Sequence, residues 1–488
     1  MLIVGEVWTF DGGRLRAGAV YLEGGRVVDV GEAEALRARY PGARRFSFER
    51  VTPGLHDAHV HPLYWGEALA ALDLRDERDP RRVAAAVRAE AARRPRGSWI
   101  RGGGYVFDAY PDRALLDEAA PDHPVFLESR DLHSAWVNAA ALAAAGVDAR
   151  TPDPPGGRVL RRADGEPTGY LLEHAAALVR RALPSPTADD LRRGLDDLAR
   201  RGYVAAHAMG DLPPEATEWV RRMAVDGALP LRLAWALPKR VWRSWRPEKI
   251  GEQLHVFGVK FFADGALTSR TAWMKAPYPK GGRGMPLDDP RAHDEEVAAV
   301  LEAGFEAVWH AIGTRAVHEL LNLSDRLEAR GLPARTRLRV EHAQHVDDAD
   351  LPRLAGRTLS MQPWHAHDDR TALEALGGEP WRTAYRWADF ARLPGVRLLF
   401  GSDAPVAVPD AVAGLRAATR HPLGRAGLAE EAALAAYVHT PAVALGWHEE
   451  EAFWGRIAPG ARAALTLWER GEPVARVWNG AVESVQRT

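Results

Sequence analysis

The sequence predicts an α/β fold, a (β/α)8 barrel with a small β domain built from both ends of the chain. Three observations lead to this prediction. Eight short apolar runs follow one another in the middle of the chain, helical stretches precede several of them, and period-two runs with Gly-Gly turns lie near both ends. With 488 residues, the chain is long enough for one large domain and an appendage.

The two ends of the sequence share an alternating pattern. The N-terminal runs read "LIVGEVWTF" and "AGAVYLEGGRVVDVG", and the C-terminal run reads "ALTLWERGEPVARVWNGAVESV". Alternation of apolar and polar residues is typical of half-buried strands. Because chain termini often lie close together, we expect residues 1–52 and 450–488 to form one small β domain.

The middle of the chain, residues 53–449, contains the eight strands expected of the barrel. A segment such as "DEEVAAVLEAG" precedes the run "FEAVWHAIG", as a helix precedes a strand in a βαβ unit. The stretch between the first and second strand is too long for a simple crossover, so we expect an insertion at about 98–175 near the barrel mouth. The eight expected strands are 56–61, 203–207, 231–237, 256–262, 306–310, 337–342, 358–361 and 396–401.

Composition excludes several classes of protein. A net charge of −2 argues against a nucleic-acid-binding protein, which would carry a strongly basic face. The N-terminus lacks the pattern of a signal peptide, and we find no apolar run long enough to span a membrane. We therefore expect a cytoplasmic protein that acts on a small molecule. Its oligomeric state stays open, a homodimer included.

The stretch "VTPGLHDAHVH" contains three histidines within six residues. Side chains alternate along a strand, so His59 and His61 share one side with Asp57 while His56 points the other way. Two imidazoles on one side of a strand can converge on a cation. The alternative is a pair of hydrogen-bonded histidines at a strand end. With no cysteine in the chain, any metal must be held by other ligands.

Other expected strands also end in polar groups that bind metals. His310 ends "FEAVWH", His342 ends "LRVEH", and Asp403 follows "LLFGS". All would lie at the C-terminal edge of the barrel strands, where barrel enzymes place their active sites. Burial of several unpaired imidazoles would cost a few kcal/mol, so a metal or other partners should satisfy them.

Lys260 lies inside the fourth expected strand, in "HVFGVKFF". The chain has only five lysines among 64 basic residues, so a lysine in a strand needs a reason. A buried lysine is readily neutral, and its amine can then react with CO2 to form a carbamate that bridges two cations. The alternative is an ion pair with Asp264 or Asp403.

These motifs together resemble the amidohydrolase superfamily and, within it, the YtcJ-like branch, amidohydrolase family 3. The resemblance covers nearly the whole chain through "PGLHDAHVHP", "DLHSAWVNAAAL", "VKFFADGALTSRTA", "HAIGTRAV", "RVEHAQ", "SMQPWHA" and "GSDAPV". It implies a distorted (β/α)8 barrel, a composite β domain from both termini and one or two divalent metal ions, zinc first, with manganese, iron or nickel as alternatives. The metal ligands it implies are His59, His61, Lys260, His310, His342 and Asp403.

The sequence departs from the family pattern at three places. The family usually has an aliphatic residue where His56 stands, which agrees with the exclusion of His56 by strand parity. Thr314 stands where an aspartate is common, which puts a contact that supports a ligand or touches substrate in doubt. Near the C-terminus, "PGARAALTLW" lacks the usual Ala-Asp-Leu, which concerns only the small domain.

The expected reaction is metal-dependent hydrolysis of C–N bonds other than peptide bonds, in linear amides such as N-substituted amides or formamides. Asp403 is the expected catalytic base, orienting the attacking water and passing a proton to the leaving nitrogen. Substrate contacts are expected from His133, Arg270 and His365. The alternative is a barrel that retains its metal and serves a binding or regulatory role without hydrolysis.

Overall fold

The structure is a computed structural model of the chain. It describes residues 1–12, 16–75, 77–107, 109–129, 134–154, 157–173, 175–210, 213–267, 270–279 and 281–486. The chain folds into two compact units, one of residues 1–64 with 194–488 and one of residues 65–193.

The strands of the described residues are, in chain order, β1 (Leu2–Trp8), β2 (Arg16–Glu23), β3 (Arg26–Gly31), β4 (Arg45–Pro53), β5 (Leu55–Val60), β6 (Leu72–Asp73), β7 (Ile100–Tyr105), β8 (Val125–Ser129), β9 (Ser134–Val137), β10 (Gly157–Arg161), β11 (Pro167–Glu173), β12 (Tyr203–Met209), β13 (Arg232–Pro238), β14 (Glu248–Ile250), β15 (Leu254–Phe262), β16 (Glu306–Ala311), β17 (Leu338–His342), β18 (Thr358–Met361), β19 (Arg397–Phe400), β20 (Leu465–Glu469), β21 (Glu472–Trp478) and β22 (Ala481–Ser484).

The α-helices of the same residues are α1 (Ala33–Arg39), α2 (Pro62–Ala70), α3 (Pro80–Ala91), α4 (Ala114–Ala119), α5 (Ala139–Ala144), α6 (Ala176–Arg180), α7 (Ala188–Arg200), α8 (Ala216–Val225), α9 (Asp294–Glu302), α10 (Thr314–Ala329), α11 (Ala334–Arg337), α12 (His365–Asp368), α13 (Arg370–Leu376), α14 (Gly378–Thr383), α15 (Trp387–Phe390), α16 (Ala411–Thr419), α17 (Glu430–Val438) and α18 (Thr440–Ala444). Short 3₁₀ turns lie at Trp242–Ser244, Pro290–Ala292, Leu351–Leu354 and Trp447–Glu449. Among the described residues, no helix is long and apolar enough to cross a membrane.

Eight parallel strands form the barrel sheet, in the order β5, β12, β13, β15, β16, β17, β18 and β19. They correspond to the eight strands that the sequence predicts. Every residue of β5, β12 and β13 is buried, as expected for parallel strands covered on both faces. The chain after β19 returns to β5, where Asp403 N donates to His59 O at 2.7 Å and His61 N donates to Ala404 O at 2.9 Å.

Helix α10 shows how a helix that follows a barrel strand buries one apolar face. In α10, which follows β16, the buried side chains include Val317, Leu320 and Leu327, spaced at three or seven residues as a helix face requires. The helix begins after Gly313 and ends at Ala329, where the chain turns at Gly331 with φ +82°. This alternation of strand and helix confirms the α/β barrel.

Both ends of the chain build a seven-stranded sheet in the order β22, β21, β20, β4, β1, β2, β3. Strand β20 lies antiparallel to β4, with Leu465 opposite Pro53 and Leu467 opposite Val51. One face carries an apolar cluster from both ends, which includes Ile3, Val20, Val51, Leu467 and Val477. The predicted composite β domain is thereby confirmed as part of the fold.

Residues 65–193 form a compact unit with a six-stranded sheet in the order β10, β11, β9, β8, β7, β6. The motifs "SWIRGGGY" and "PVFLESRDLHSAWVN" supply β7, β8 and β9. Its own core includes Val83, Ile100, Leu116 and Trp136. The bounds expected from the sequence, about 98–175 for an insertion near the barrel mouth, 53–449 for the barrel and 1–52 with 450–488 for the small domain, stay predictions.

Candidate metal centre

Three of the predicted ligands meet where the first and last barrel strands end. His59 lies in β5, His61 follows it, and Asp403 comes three residues after β19. The Oδ1 atom of Asp403 lies 3.2 Å from His59 Nε2 and 3.4 Å from His61 Nε2. Because the donor atoms of these residues all lie within 4.8 Å of one another, one cation could contact all three.

The ring of His59 is oriented by a buried ion pair. Its Nδ1 lies 2.5 Å from Glu341 Oε2, and Glu341 Oε1 lies 2.5 Å from Arg339 Nε. Burial alone would raise the pKa of Glu341, but Arg339 and His59 lower it to about 2. An ionised Glu341 accepts the Nδ1 proton of His59 and so directs Nε2 towards Asp403, as partners of metal-binding histidines do.

His342 ends β17 and is held by a second hydrogen bond. Its Nδ1 donates to Gln362 Oε1 at 2.8 Å, and its ring centroid lies 4.8 Å from that of His59. His342 and Asp403 both have left-handed backbone angles, φ 70° and 60°. Such backbone costs roughly 1–3 kcal/mol in residues other than glycine and clusters at functional sites.

His310 lies beside His342, with ring centroids 4.4 Å apart. Its Nε2 lies 3.2 Å from the carbonyl oxygen of Gly265 and 3.8 Å from Asp264 Oδ1. Among the described residues, the two groups of donors with metal-binding spacing do not include His310. The structure thus brings His310 next to the centre, but its ring faces the Gly265 carbonyl.

Lys260 lies within β15, where it is 2% exposed. It pairs in register with Val308, two residues before His310, so Lys260 and His310 lie on the same side of the sheet. A Cβ atom at Gly210 would lie 2.8 Å from Lys260 Cβ, so the glycine leaves room for the lysine stem. Carboxylation of Lys260 stays a prediction.

Asp264 is the residue that the sequence offered, with Asp403, as an alternative ion-pair partner of Lys260. Its carboxylate accepts hydrogen bonds from the backbone N–H groups of Trp273 (2.7 Å), Ile312 (2.9 Å) and Gly313 (2.7 Å). Burial nevertheless raises the pKa of Asp264 to about 7. Asp264 therefore ties the segment after β15 to the turn that follows His310.

Similarity to known proteins extends over most of the chain. The profile described as "Amidohydrolase family" matches residues 49–477. The chain belongs to the amidohydrolase family. A second profile, an imidazolonepropionase-like composite domain of bacteria, matches residues 18–43, within the small sheet. The predicted family is confirmed, and with it the class of metal-dependent hydrolases.

Individual relatives of this amidohydrolase agree with the family match. The putative amidohydrolase YtcJ of Bacillus subtilis (strain 168) is 31% identical over 439 residues, 83% of this chain and 80% of that protein. The N-substituted formamide deformylase of Arthrobacter pascens is 30% identical over 516 residues, 97% and 94% of the two chains. A solved structure of an uncharacterized metal-dependent hydrolase from Pyrococcus furiosus has a TM-score of 0.80 at 23% identity and covers 96% of this chain and 98% of its own, which shows the shared fold.

The donors of the amidohydrolase centre fit a divalent cation. His59 Nε2 is buried and, within the described part of the chain, makes no well-aligned hydrogen bond, although Asp403 lies close to it. Burial lowers the pKa of His310 to about 3 and lowers that of His342 well below its usual value. Both imidazoles are therefore neutral near pH 7, the form that binds metals.

Asp403 supplies the negative charge of the centre. Burial alone would raise its pKa, but His59 and His61 outweigh burial and hold the pKa of Asp403 well below its usual value. An ionised carboxylate that lies beside imidazole nitrogens is suited to a hard or borderline cation such as Zn²⁺.

The three residues predicted to contact substrate differ in their position relative to the metal-binding groups. His133 lies outside the described residues. Arg270 is exposed, with φ 56°, and no described contact joins it to the metal-binding groups. His365 begins α12, and one of its ring nitrogens lies within 4.8 Å of the donor atoms of His342 and Asp403. Thr314 is the first residue of α10, and its hydroxyl donates to Glu379 Oε1 at 2.6 Å. This hydrogen bond joins the start of α10 to α14.

Sequence reasoning missed the residues that orient the ligands, namely Glu341, Arg339 and Gln362. The signal for the first two was present, because "LRVEH" places two opposite charges two residues apart inside a strand. Such charges on one side of a buried strand need partners. Their partner His59 lies 282 residues away from Glu341 in sequence, so the pairing itself could not be read from the motif.

Proposed function

We propose that this amidohydrolase hydrolyses C–N bonds outside peptides, in N-substituted amides or formamides. The observation that carries the proposal is the convergence of His59, His61 and Asp403 at the C-terminal edge of the barrel. The remaining ligands in the proposal are Lys260, carboxylated on its amine, His310 and His342. Zinc is the proposed metal, with manganese, iron and nickel as the other candidates.

The residues have distinct parts in the proposed reaction. The cation, when bound, supplies Lewis acidity that polarises the substrate carbonyl and makes water a nucleophile near neutral pH. Asp403, ionised within hydrogen-bond reach of the centre, accepts a proton from the attacking water. It then gives that proton to the leaving nitrogen as the C–N bond breaks. The products are a carboxylic acid, formic acid for a formamide, and an amine.

The surroundings of the centre support a substrate with an apolar group. Phe262, the last residue of β15, is 39% exposed, and its ring centroid lies 5.5 Å from that of His310. Leu287 is also exposed, and its N–H donates to Ala263 O at 3.0 Å, which places it beside Phe262. An apolar N-substituent would bury this edge. The relative that acts as an N-substituted formamide deformylase supports the same substrate class.

The test begins with the purified protein and its metal content. N-substituted formamides, linear amides and esters are then offered with and without a chelator, and the release of acid and amine is measured. The proposal expects chelator-sensitive hydrolysis, fastest with formamides or amides. A metal-replete protein that hydrolyses none of these compounds would favour the binding or regulatory role instead.

Carboxylation of Lys260 has its own test. Native mass spectrometry in bicarbonate buffer should show a mass increment of one CO2, and a Lys260→Arg variant should lack it. If the increment is equal in both proteins, the carbamate lies elsewhere and Lys260 would need another role.

A further inference from the structure

A buried line of side chains crosses the inside of the barrel and ends at the metal centre. Arg339 lies in β17, and its guanidinium reaches His207 in β12, which stands four positions away in the order of the eight barrel strands. Arg339 Nη1 lies 3.0 Å from His207 Nδ1. His207 is 0% exposed and Arg339 is 1% exposed, so the whole contact is buried. It joins two opposite walls of the barrel.

The chemistry of this pair decides which atom donates. A guanidinium has only donors, so His207 Nδ1 accepts the hydrogen bond from Arg339 and the ring proton lies on Nε2. Burial, with the charge of Arg339, lowers the pKa of His207 well below its usual value. His207 is therefore a neutral acceptor. A carboxylate in its place would compete with Glu341 for the guanidinium, whereas a neutral ring leaves the charge of Arg339 to Glu341.

The Arg339 guanidinium has two further contacts, and both lead to His59. Its Nε lies 2.5 Å from Glu341 Oε1, and Glu341 Oε2 lies 2.5 Å from His59 Nδ1. Its Nη2 donates to the carbonyl oxygen of Ala58, the residue before His59 in β5. Arg339 therefore holds the ring of His59 through Glu341. It holds the backbone next to that ring through Ala58.

We propose that His207 is a positioning residue of the metal centre. By accepting a hydrogen bond from Nη1, it fixes the Arg339 guanidinium in the orientation that places the Glu341 carboxylate against His59. Without this acceptor a buried N–H group would be left unpaired, and the guanidinium would turn towards another partner. Neither the metal-binding motifs nor the family match assigns a role to His207. The inference rests on the proposed function only for the presence of a metal ion at His59.

Two substitutions of nearly equal shape test the acceptor. His207→Asn keeps a neutral oxygen in the place of Nδ1, and His207→Leu replaces that acceptor by a methyl group. The Zn²⁺ affinity of each metal-free protein is measured by competition with a chromophoric chelator, and the visible absorption of bound Co²⁺ reports the geometry of the ion. His207→Leu should bind Zn²⁺ about tenfold more weakly and shift the Co²⁺ spectrum, because His59 loses part of its outer support. His207→Asn should keep the wild-type affinity and spectrum.

A double-variant cycle tests whether His207 acts through Arg339. Arg339→Met removes the donor, so the addition of His207→Leu to it should weaken Zn²⁺ binding no further. The double variant also leaves no unpaired N–H group at this contact, so it serves as the test if His207→Leu alone does not fold. His56→Leu is the control, because the ring of His56 lies 6.0 Å from that of His207 and no described contact joins it to Arg339. This control should bind Zn²⁺ as the wild type does.

The outcomes separate the inference from the proposed function. Circular dichroism and urea unfolding first check that each metal-free variant is folded. Wild-type Zn²⁺ affinity in folded His207→Leu would overturn the inference, and so would an equal loss of affinity in His207→Asn. A further loss when His207→Leu is added to Arg339→Met would also overturn it, since His207 would then act by another route. A wild-type protein that binds Zn²⁺ but hydrolyses none of the offered compounds would overturn the proposed function alone, and one that binds no Zn²⁺ would overturn both.

Discussion

Histidines cluster at both ends of the barrel, and the two clusters differ in what surrounds them. At the C-terminal edge, His59 and His61 face the Asp403 carboxylate. At the opposite end, the ring of His56 packs 5.8 Å from that of Trp447 and 6.0 Å from that of His207. One strand, β5, thus sends one histidine into each cluster.

The two clusters differ in whether a nearby carboxylate is already paired with basic side chains or can still pair with a bound cation. Beside Trp447 of the His56 cluster lies Arg232, whose partner Glu450 is paired with Arg232 at 2.8 Å and with Lys249 at 2.6 Å. The Arg232 guanidinium also lies 4.0 Å over the Trp447 ring. Asp403, by contrast, faces imidazoles. Imidazoles beside an uncompensated carboxylate can hold a cation, whereas imidazoles beside a neutralised carboxylate and aromatic rings serve as packing.

The largest expected effect comes from removal of the Asp403 charge. Asp403→Asn keeps a ligand oxygen but cannot accept a proton, so turnover should fall about 10²–10⁴-fold. Metal content should fall much less than turnover. Steady-state kinetics and elemental analysis on the same preparation check this. Normal hydrolysis by Asp403→Asn would show that Asp403 is not the base.

The contrast along β5 can be tested with one substitution at each end. His59→Gln should lower metal affinity by more than about 100-fold and lower activity with it, because loss of a ligand costs more than loss of its outer partner. His56→Leu should retain both metal and activity. Its stability should be unchanged or higher, since it removes a buried Nδ1 atom that lacks a hydrogen-bond partner among the described residues.

Metal titration and urea unfolding of the two β5 variants provide the measurements. A loss of metal from His56→Leu equal to that from His59→Gln would contradict the division of the strand into a metal-binding and a packing histidine.

A smaller effect is expected from the group that orients His59. Glu341→Gln should weaken metal binding by about 10–100-fold, because His59 loses its charged partner. It should also destabilise the protein, because Arg339 is 1% exposed and would lose its counter-charge. In the double variant Glu341→Gln with Arg339→Met, stability should recover more than metal affinity. Equal recovery of both would indicate that Glu341 serves folding alone.

The smallest effect concerns acid pH and the packing histidine. Burial, with the charge of Arg232, lowers the pKa of His56 to about 3 in the folded protein, against 6.5 in an unfolded chain. Unfolding therefore takes up a proton between pH 3 and pH 6.5. Above pH 6.5 His56 is neutral in both states and adds no proton-linked cost, and the free energy of unfolding decreases as the pH falls from 6.5 towards 3. The slope is up to about 1.4 kcal/mol per pH unit.

The metal-free wild-type protein and His56→Leu are compared by urea unfolding at pH 7 and pH 5. The wild type should lose more free energy of unfolding than the variant over this interval. Parallel losses would mean that His56 does not take up a proton when the chain unfolds.

The fold could be predicted from the sequence because its elements repeat a local pattern. The eight apolar runs match the barrel strands, and the alternating ends match the shared sheet. For the site, the register of β5 against β12 shifts between Asp57 and Val60, so strand parity alone does not account for the different surroundings of His56 and His59. The sequence nevertheless set the two histidines apart. It could not find Glu341 as the partner of His59, nor the approach of His365 to Asp403. Both depend on chain segments that meet only in the folded barrel, and a hydrogen bond between distant residues leaves no local pattern.

The shared sheet has a consequence for synthesis of the protein. Leu55 N donates to Thr466 Oγ1 at 3.0 Å, a bond that spans 411 residues of sequence, and β4 pairs with β20 beside it. At 5–20 residues per second, a ribosome needs roughly 20–80 s to deliver the second partner after the first. During that time the edge of β4 stands unpaired. The nascent chain therefore presents an open strand to other nascent chains and to chaperones until translation has almost finished.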